Sequence, residues 1–280
     1  MVEVRAISVN RGELHRLHDP ANIGWRPGWD FVGEVVGGTG FPLGSRVFGM
    51  SDGGSWAQRV AVPVTRVAAV PSALSWARAA ALPVAGLTAL RTLRLAGPLA
   101  GRHVLITGAG GGVGRFAVQL AHRAGARVTA LAGSARRVAG LRALGADQVV
   151  TDLAGLAGGY DLILESAGGD VLGRALALLA PGGLVVSYGN SARASSTFLV
   201  NDFYPRQARL CGFYLPDDAI TTPLRADLAT LAEWCAAGEL TVPIAEETGW
   251  RDVAAVLDRL RDRLIDGKAV LRLDSDPISS

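Results

Sequence analysis

Residues 103–137 constrain the fold of this chain most, because a strand, a glycine-rich turn, a helix and a second strand follow one another without interruption. Residues 104–106 are an apolar run that is typical of a buried strand. Residues 108–114 then read Gly-Ala-Gly-Gly-Gly-Val-Gly, and apolar residues at helical spacing follow. Such a turn lets the backbone approach a ligand closely and opens onto a helix N-terminus, which suits a pyrophosphate. The order of elements therefore predicts a dinucleotide-binding βαβ unit.

The glycine motif departs from Gly-x-Gly-x-x-Gly at one position, since Ala109 takes the place of the first glycine. Gly111 and Gly114 occupy the second and third places. The strand–turn–helix context still supports the interpretation. We expect four residues of the turn to contact the cofactor, namely Gly110, Gly111, Gly112 and Val113.

The end of the second strand, residues 127–131, indicates which dinucleotide is bound. An NAD site usually places an Asp or Glu there to bind the ribose 2′-hydroxyl. This chain instead has Ser134, Arg136 and Arg137, so a hydroxyl and two guanidinium groups could bind a 2′-phosphate. The alternative is that the two arginines form an ordinary solvated helical turn. We expect NADPH as the cofactor.

Composition indicates a globular protein with a large core. The chain has 280 residues, enough for two domains, with 49% hydrophobic and 19% charged residues. Net charge is only +3, and no basic run with interleaved aromatics indicates a nucleic-acid partner. No apolar run is long enough to span a membrane, and no leader segment is evident, so we expect a cytoplasmic protein. Cys211 and Cys235 are expected to be buried free thiols.

The pattern of elements changes along the chain. The first ~95 residues show short strands and frequent turns, which predicts an irregular β-rich domain. Strands and helices alternate from residue 103, as in a parallel sheet with crossover helices. Among them we predict a helix at 135–144 and six strands in all. A helix at 250–264 and a strand at 269–273 are expected to return to the β-rich domain, followed by a loose tail at 274–280.

Eight segments, in order along nearly the whole chain, resemble the medium-chain dehydrogenase/reductase superfamily, in its zinc-independent quinone-oxidoreductase-like branch. They are residues 4–10, 26–36, 44–49, 80–90, 106–121, 143–147, 180–186 and 267–273. The resemblance implies an α/β fold in which a Rossmann doubly wound parallel sheet, residues 91–240, binds NADP. A discontinuous GroES-like catalytic domain, residues 1–90 and 241–280, would accompany it. Because the chain starts almost inside the first matching segment, that domain is expected to be N-terminally shortened, with a start of the sequence placed too late as the alternative.

The resemblance also implies that no metal is bound. Alcohol dehydrogenases of this superfamily hold catalytic zinc with a Cys, a His and a second Cys or similar ligand, and those places fall on Asn10, Trp29 and about Val84 here. None of these offers the thiolate, imidazole or carboxylate that zinc requires. His15 and His18 lie nearby, in what we predict to be a loop, and without a matching third ligand we interpret them as polar loop residues.

Further site residues follow from the same resemblance. Asn10 is expected to position the nicotinamide ribose or the substrate, with a turn-capping amide as the alternative. Thr88 is expected near the nicotinamide, although its hydroxyl could instead bond back to its own helix. Cofactor contacts are also expected from Ser134, Arg137, Ala167, Gly189, Asn190, Phe213 and Lys268. No tyrosine precedes Tyr160, and Tyr188 and Tyr214 could be ordinary strand ends, so no general acid is assigned.

Without a Lewis acid, the expected reaction is hydride transfer from NADPH to an acceptor that activates itself. A quinone or an α,β-unsaturated carbonyl meets this condition, and the protein then has to position both reactants and exclude water. Secondary metabolism is one possible setting. Two alternatives keep the cofactor: a cyclisation-type reaction without net redox change, or a sensor, scaffold or RNA-binding role. The partner is expected to be a small-molecule substrate, and the resemblance implies a homodimer.

Overall fold

A computed structural model describes residues 1–273, so the predicted tail at 274–280 lies outside the described residues. The chain divides into two compact units. We call Met1–Leu87 with the chain from Leu215 onward the mixed-sheet unit, and Thr88–Tyr214 the parallel-sheet unit.

The strands are β1 Val2–Val9, β2 Asp30–Val35, β3 Arg46–Met50, β4 Arg59–Val60, β5 Val67–Ala69, β6 His103–Ile106, β7 Arg127–Leu131, β8 Gln148–Val150, β9 Tyr160–Glu165, β10 Leu179–Ser187, β11 Arg209–Gly212, β12 Ile244–Gly249 and β13 Lys268–Arg272. The helices are α1 Arg11–Leu17, α2 Trp76–Ala80, α3 Pro83–Arg94, α4 Gly112–Arg123, α5 Gly169–Leu176, α6 Leu215–Thr221, α7 Arg225–Ala236 and α8 Val253–Arg261. Short 3₁₀ turns connect several of them.

The parallel-sheet unit contains a six-stranded sheet in the order β11-β10-β9-β6-β7-β8. All its pairings are parallel, and the strand order reverses between β6 and β9. This confirms the predicted doubly wound sheet of six strands. Strands β6 and β9 lie in the centre, and Val104, Leu105, Ile106 and Ile163 there are fully buried. The carboxyl ends of the two central strands therefore meet at one edge, where open α/β sheets bind their ligands.

The mixed-sheet unit contains a seven-stranded sheet with the path β12-β13-β1-β2-β3-β5, and β4 also pairs with β1. Strand β1 pairs antiparallel with β2 and with β13, so Val9 lies opposite Ala269. The predicted return of the C-terminal strand to the N-terminal sheet is confirmed. Ile7, Phe31 and Leu271 are completely buried in the core beneath this sheet.

Three predictions about local structure were wrong. Residues 135–144 do not form a helix, because only a 3₁₀ turn at Ala135–Val138 is present and Ala139, with a ψ of 131°, is not helical. Gly140, with a φ of +77°, is in a conformation that a helix does not contain. The predicted loop after Asn10 is partly helical, since α1 includes His15. Cys211 is partly exposed, whereas Cys235 is buried as expected.

Residues 215–240 belong to the mixed-sheet unit, although the sequence placed them with the nucleotide-binding domain. Helix α7 packs against β5. The backbone N–H of Leu224 donates to the carbonyl of Thr65 at 3.0 Å, and an Arg78 Nη2 donates to the carbonyl of Cys235 at 3.2 Å. These contacts join residues far apart in sequence, and local periodicity gives no indication of them.

Candidate functional site

The glycine turn lies at the carboxyl end of β6 and leads directly into α4. Gly111 is the N-cap residue of α4, and its N–H donates to the carbonyl of Gly108 at 2.9 Å. The first N–H groups of a helix have no partner within the helix, and they carry the positive end of its dipole. The turn and the first residues of α4, including Gly112 and Val113, therefore have the geometry of an anion-binding site.

Two glycines in this turn are required by its geometry. Gly108 has a φ of +59°, and a Cβ there would lie 2.6 Å from the Ser166 Oγ. A Cβ on Gly114 would lie 2.4 Å from the carbonyl oxygen of Gly108 and 2.6 Å from the Cα of Ala109. Ala109 itself does not have a positive φ and is fully buried. The alanine at the first motif position is tolerated because the left-handed residue of this turn is the preceding glycine.

The end of β7 lies beside the same turn. Ser134 is exposed and is the N-cap residue of the 3₁₀ turn that contains Arg137, but its side chain makes no capping hydrogen bond. A Cβ on Gly110 would lie 2.8 Å from the Cβ of Arg137, so this stretch of backbone packs closely against the glycine turn. Two of the residues expected to bind the 2′-phosphate are thus adjacent to those expected to bind the pyrophosphate.

Glu165 organises the carboxyl end of β9. Its carboxylate accepts N–H bonds from Ala167 at 2.7 Å and from Gly168 at 3.0 Å, and a hydroxyl bond from Thr107 at 3.2 Å. Burial raises the pKa of Glu165, and these hydrogen bonds oppose the shift. The Ala167 carbonyl accepts an N–H bond from Ala192 at 2.7 Å. Glu165 thereby fixes the turn that carries Ala167.

The predicted residues at the ends of β10 and β11 lie at the same edge of the sheet. Gly189 approaches Ser166, and Asn190 is exposed, with its Nδ2 3.4 Å from the Ala194 carbonyl. The N–H of Phe213 donates to the carbonyl of Ser187 at 2.8 Å. The Tyr188 hydroxyl is buried, and burial raises its pKa to about 12. These positions are next to the turn of Glu165, as ligand-binding residues of a doubly wound sheet should be.

A buried polar cluster in the mixed-sheet unit contains Asn10 and Lys268. Its centre is the carboxylate of Asp30, which is completely buried. Asp30 Oδ2 accepts from Ser8 Oγ at 2.5 Å, from Asn10 Nδ2 at 2.9 Å and from Lys268 Nζ at 3.2 Å. Asp30 Oδ1 accepts the N–H of Val84, near the start of α3, at 2.8 Å. Four donors therefore satisfy one buried carboxylate, as the burial of a charge requires.

Glu13 is the second buried carboxyl group of this cluster. Its Oε2 accepts the N–H of Asn10 at 2.6 Å, and its Oε1 accepts the N–H of Trp29 at 2.7 Å. Burial raises the pKa of Glu13 to about 8, and the nearby charge of Asp30 acts in the same direction. The two N–H bonds and the charge of Lys268 oppose the shift. The Glu13 carboxyl group thus connects the start of α1 to the start of β2 through two hydrogen bonds, and it can gain or lose a proton.

Sequence reasoning did not identify Ser8, Glu13 or Asp30, which are spread over 23 positions and meet Lys268 only in the folded sheet. One feature of the sequence could have indicated this cluster: two acidic residues, Glu13 and Asp30, lie in short segments that contain many apolar residues. Thr88 lies in α3 and is buried, and its carbonyl accepts a bond from the Thr92 hydroxyl at 2.7 Å.

The three positions that correspond to zinc ligands do not fit zinc. Trp29 and Val84 have no side-chain atom that binds this metal, and the amide of Asn10 is hydrogen-bonded to Asp30 and Lys268. Within residues 1–273, no group of three or more His, Cys, Asp or Glu side chains is arranged to hold a metal ion. In the same part of the chain, every helix is too short or too polar to cross a membrane.

Comparison with known proteins identifies the family. Residues 112–237 match the family described as zinc-binding dehydrogenase. A mycocerosic acid synthase-like polyketide synthase of Mycobacterium tuberculosis is 34% identical over 77% of this chain, although the chain spans only 11% of that protein's length. Prostaglandin reductase-3 of Bos taurus is 28% identical over 98% of this chain and 81% of its own.

Solved structures agree with this assignment. The quinone oxidoreductase of Escherichia coli, solved in complex with NADPH, superposes with a TM-score of 0.84 at 25% identity, over 97% of this chain and 90% of the other. That likeness covers both the parallel sheet and the mixed sheet. The chain belongs to the medium-chain dehydrogenase/reductase superfamily of oxidoreductases, and its fold and sequence are similar to the quinone-oxidoreductase-like branch.

Proposed function

We propose that this protein is an NADPH-dependent, zinc-independent oxidoreductase that reduces a quinone or the activated C=C bond of an α,β-unsaturated carbonyl. The observation that carries the proposal is the glycine turn at the carboxyl end of β6, with Ser134 and Arg137 beside it after the end of β7. The residues from the end of β7 to Arg137 include no carboxylate. An anion-binding helix terminus next to a hydroxyl and a guanidinium suits a dinucleotide that carries a 2′-phosphate.

Each predicted site residue except Lys268, whose ammonium group is bound within the mixed-sheet unit, has a role in this proposal. The backbone of Gly110, Gly111, Gly112 and Val113 holds the pyrophosphate. Ser134 and Arg137 hold the 2′-phosphate. Thr88, Ala167, Gly189, Asn190 and Phe213 contact the remainder of the cofactor, and Asn10 orients the nicotinamide ribose or the substrate.

The reaction requires the protein mainly to position the two reactants and to provide hydrogen-bond donors. When bound, NADPH would supply a hydride, which carries two electrons, for addition to the β-carbon of an enone or to a quinone. The negative charge that develops on the acceptor oxygen is delocalised, and a proton from solvent completes the reduction. The chain's own task is to align the reactants, exclude water and donate hydrogen bonds to that oxygen. A relative named as a quinone oxidoreductase and another named as a prostaglandin reductase support a reductase function at this general level.

The first test is direct. NADPH and NADH are titrated by fluorescence, and NADPH oxidation is then followed by absorbance with a panel of quinones and enones. We expect NADPH to bind at least about tenfold more tightly than NADH, and to be oxidised with at least one acceptor class. NADPH binding without turnover on any acceptor would favour a cyclisation-type reaction, or a sensor or scaffold role. A failure to bind NADPH would refute the proposal.

A single substitution tests the preference for NADPH over NADH. Arg137→Glu should weaken NADPH binding by about 10- to 100-fold, because a charge-assisted hydrogen bond is replaced by a repulsion. NADH binding should change little. Arg127→Glu is the matched control, since Arg127 is exposed at the amino end of β7, whereas Arg137 lies in the 3₁₀ turn after the carboxyl end of that strand. Equal NADPH affinity in the wild type and Arg137→Glu would exclude the assigned role of this residue.

A further inference from the structure

Lys268 uses all its hydrogen-bond donors within the mixed-sheet unit. An ammonium group has three N–H bonds. Those of Lys268 are directed to the Val9 carbonyl at 3.2 Å, to Asn10 Oδ1 at 2.5 Å and to Asp30 Oδ2 at 3.2 Å. The side chain is only 3% exposed. The ammonium thus has no donor left for a cofactor phosphate or ribose, although its motif position led us to expect a cofactor contact.

The partners of Asn10 fix which way its carboxamide faces. Its Nδ2 donates to Asp30 Oδ2, an atom that only accepts, and its Oδ1 accepts from Lys268 Nζ, which only donates. A 180° flip would place the amide oxygen against the carboxylate and the amide NH₂ against the ammonium. Both hydrogen bonds would become repulsive contacts, so one orientation is strongly preferred. The backbone of the same residue is held by Glu13, through the N–H bond at 2.6 Å.

The cluster uses one of the two N–H donors of the Asn10 carboxamide, which goes to Asp30. The amide oxygen accepts from Lys268 and, in the capping box at the start of α1, from the backbone N–H of Glu13. We propose that Lys268 and Asp30 are positioning residues, which hold Asn10 so that its remaining N–H donates to an oxygen of the reacting ligand. This inference rests on the proposed function, in which Asn10 contacts the nicotinamide ribose or the substrate.

The energetics of buried charge support this role. A buried ion pair is often no better for stability than a well-packed apolar pair of similar volume, because both charges lose their hydration. Fixing one orientation of a polar group is a task that an apolar pair cannot perform. Lys268 and Asp30 are 3% and 0% exposed, and both contact the same carboxamide. Orientation of Asn10 is therefore what the pair provides in addition to packing.

The test compares Lys268→Met, Asn10→Ala and the double variant. Lys268→Met should lower kcat by about 10- to 100-fold, because misplacement of a positioning group by about 1 Å is enough for such a loss. NADPH affinity should stay within about twofold of the wild type. The primary isotope effect on kcat with NADPH deuterated at the transferred position should rise, because hydride transfer becomes rate-limiting. In the Asn10→Ala background, Lys268→Met should cause no further loss.

Two controls separate positioning from stability. Arg66→Met removes another buried cation of the same unit, one that pairs with Asp52, and should destabilise the protein without changing kcat. Asp30→Asn combined with Lys268→Met leaves no unpaired charge, so it should fold even if Lys268→Met does not, and it should show the same loss of kcat.

Three results would overturn the inference. An unchanged kcat in the folded Asp30→Asn/Lys268→Met variant would show that the pair does not act through Asn10. A loss of NADPH affinity as large as the loss of kcat would make Lys268 a direct cofactor ligand. Additive losses in the double variant would make the two residues independent. An inactive wild type would instead refute the proposed function, and with it the role of Asn10.

Discussion

Replacing Glu13 with glutamine should remove a pH dependence from the stability of the mixed-sheet unit. Burial and the charge of Asp30 raise the pKa of Glu13 from 4.5 to about 8 in the folded protein. In the unfolded chain the carboxyl group is solvated and ionises near its ordinary value. Between these two pKa values the folded state holds one proton more than the unfolded state. The free energy of unfolding therefore falls as pH rises through this window.

The magnitude follows from the two pKa values. One proton of difference changes the free energy of unfolding by about 1.4 kcal/mol for each pH unit. Because the dependence flattens near the folded pKa, the loss between pH 6 and pH 8 is about 2 kcal/mol. The contribution of Glu13 is fully present below about pH 4.5 and is lost once pH has risen through about 8.

Glutamine imitates the neutral carboxyl group but cannot ionise. Both oxygens of Glu13 accept backbone N–H bonds, from Asn10 and from Trp29, so the amide NH₂ of a glutamine would face one of these donors. That mismatch should cost about 1–3 kcal/mol at every pH. The variant is thus less stable than the wild type at pH 6, and the difference between them shrinks as pH rises to 8.

Tryptophan fluorescence during urea unfolding is a suitable assay, because all six tryptophans lie in the mixed-sheet unit. Midpoints and slopes are measured from pH 5 to pH 9 for the wild type and for Glu13→Gln. Glu233→Gln serves as a control for the same chemical change at an exposed position, since Glu233 is exposed on α7 of the same unit. A constant difference between Glu13→Gln and wild type across the range would refute the reasoning, since Glu13 would then ionise alike in both states.

Three further predictions follow from packing and hydrogen bonding. Gly114→Ala should weaken NADPH binding at least about tenfold, because its Cβ would meet backbone atoms at 2.4 and 2.6 Å, whereas Gly212→Ala, with nothing within 4 Å, should bind normally in the same titration. Phe31→Ala should lower the free energy of unfolding by about 3–5 kcal/mol in urea, while Ile23→Ala, at a side chain 90% exposed, should change it by less than about 0.5 kcal/mol. Ser8→Ala should cost about 1–3 kcal/mol, because a buried carboxylate loses a donor at 2.5 Å, and a loss below 0.5 kcal/mol would contradict this account.

The parallel sheet could be predicted in detail because its determinants are local. Apolar runs bounded by turns located β6, β7 and β8 to within a residue, and the glycine turn after β6 indicated a parallel arrangement with its ligand edge. The 3₁₀ turn at Ala135–Val138 was mistaken for a longer helix, because helix-forming residues follow one another there. The positive φ of Gly140 depends on backbone context that residue propensities do not describe.

The sequence by itself determined the doubly wound sheet, the anion-binding turn and the lack of zinc ligands at three motif positions, since each depends on residue types at short spacing. Only the tertiary structure decided the partners of Asn10. Glu13 and Asp30 reach it from α1 and β2, and Lys268 reaches it from β13, 258 positions along the chain. Their meeting depends on the pairing of β1 with β2 and β13. Burial then makes these few polar contacts obligatory, because an unpaired charge in the core would be too costly to keep.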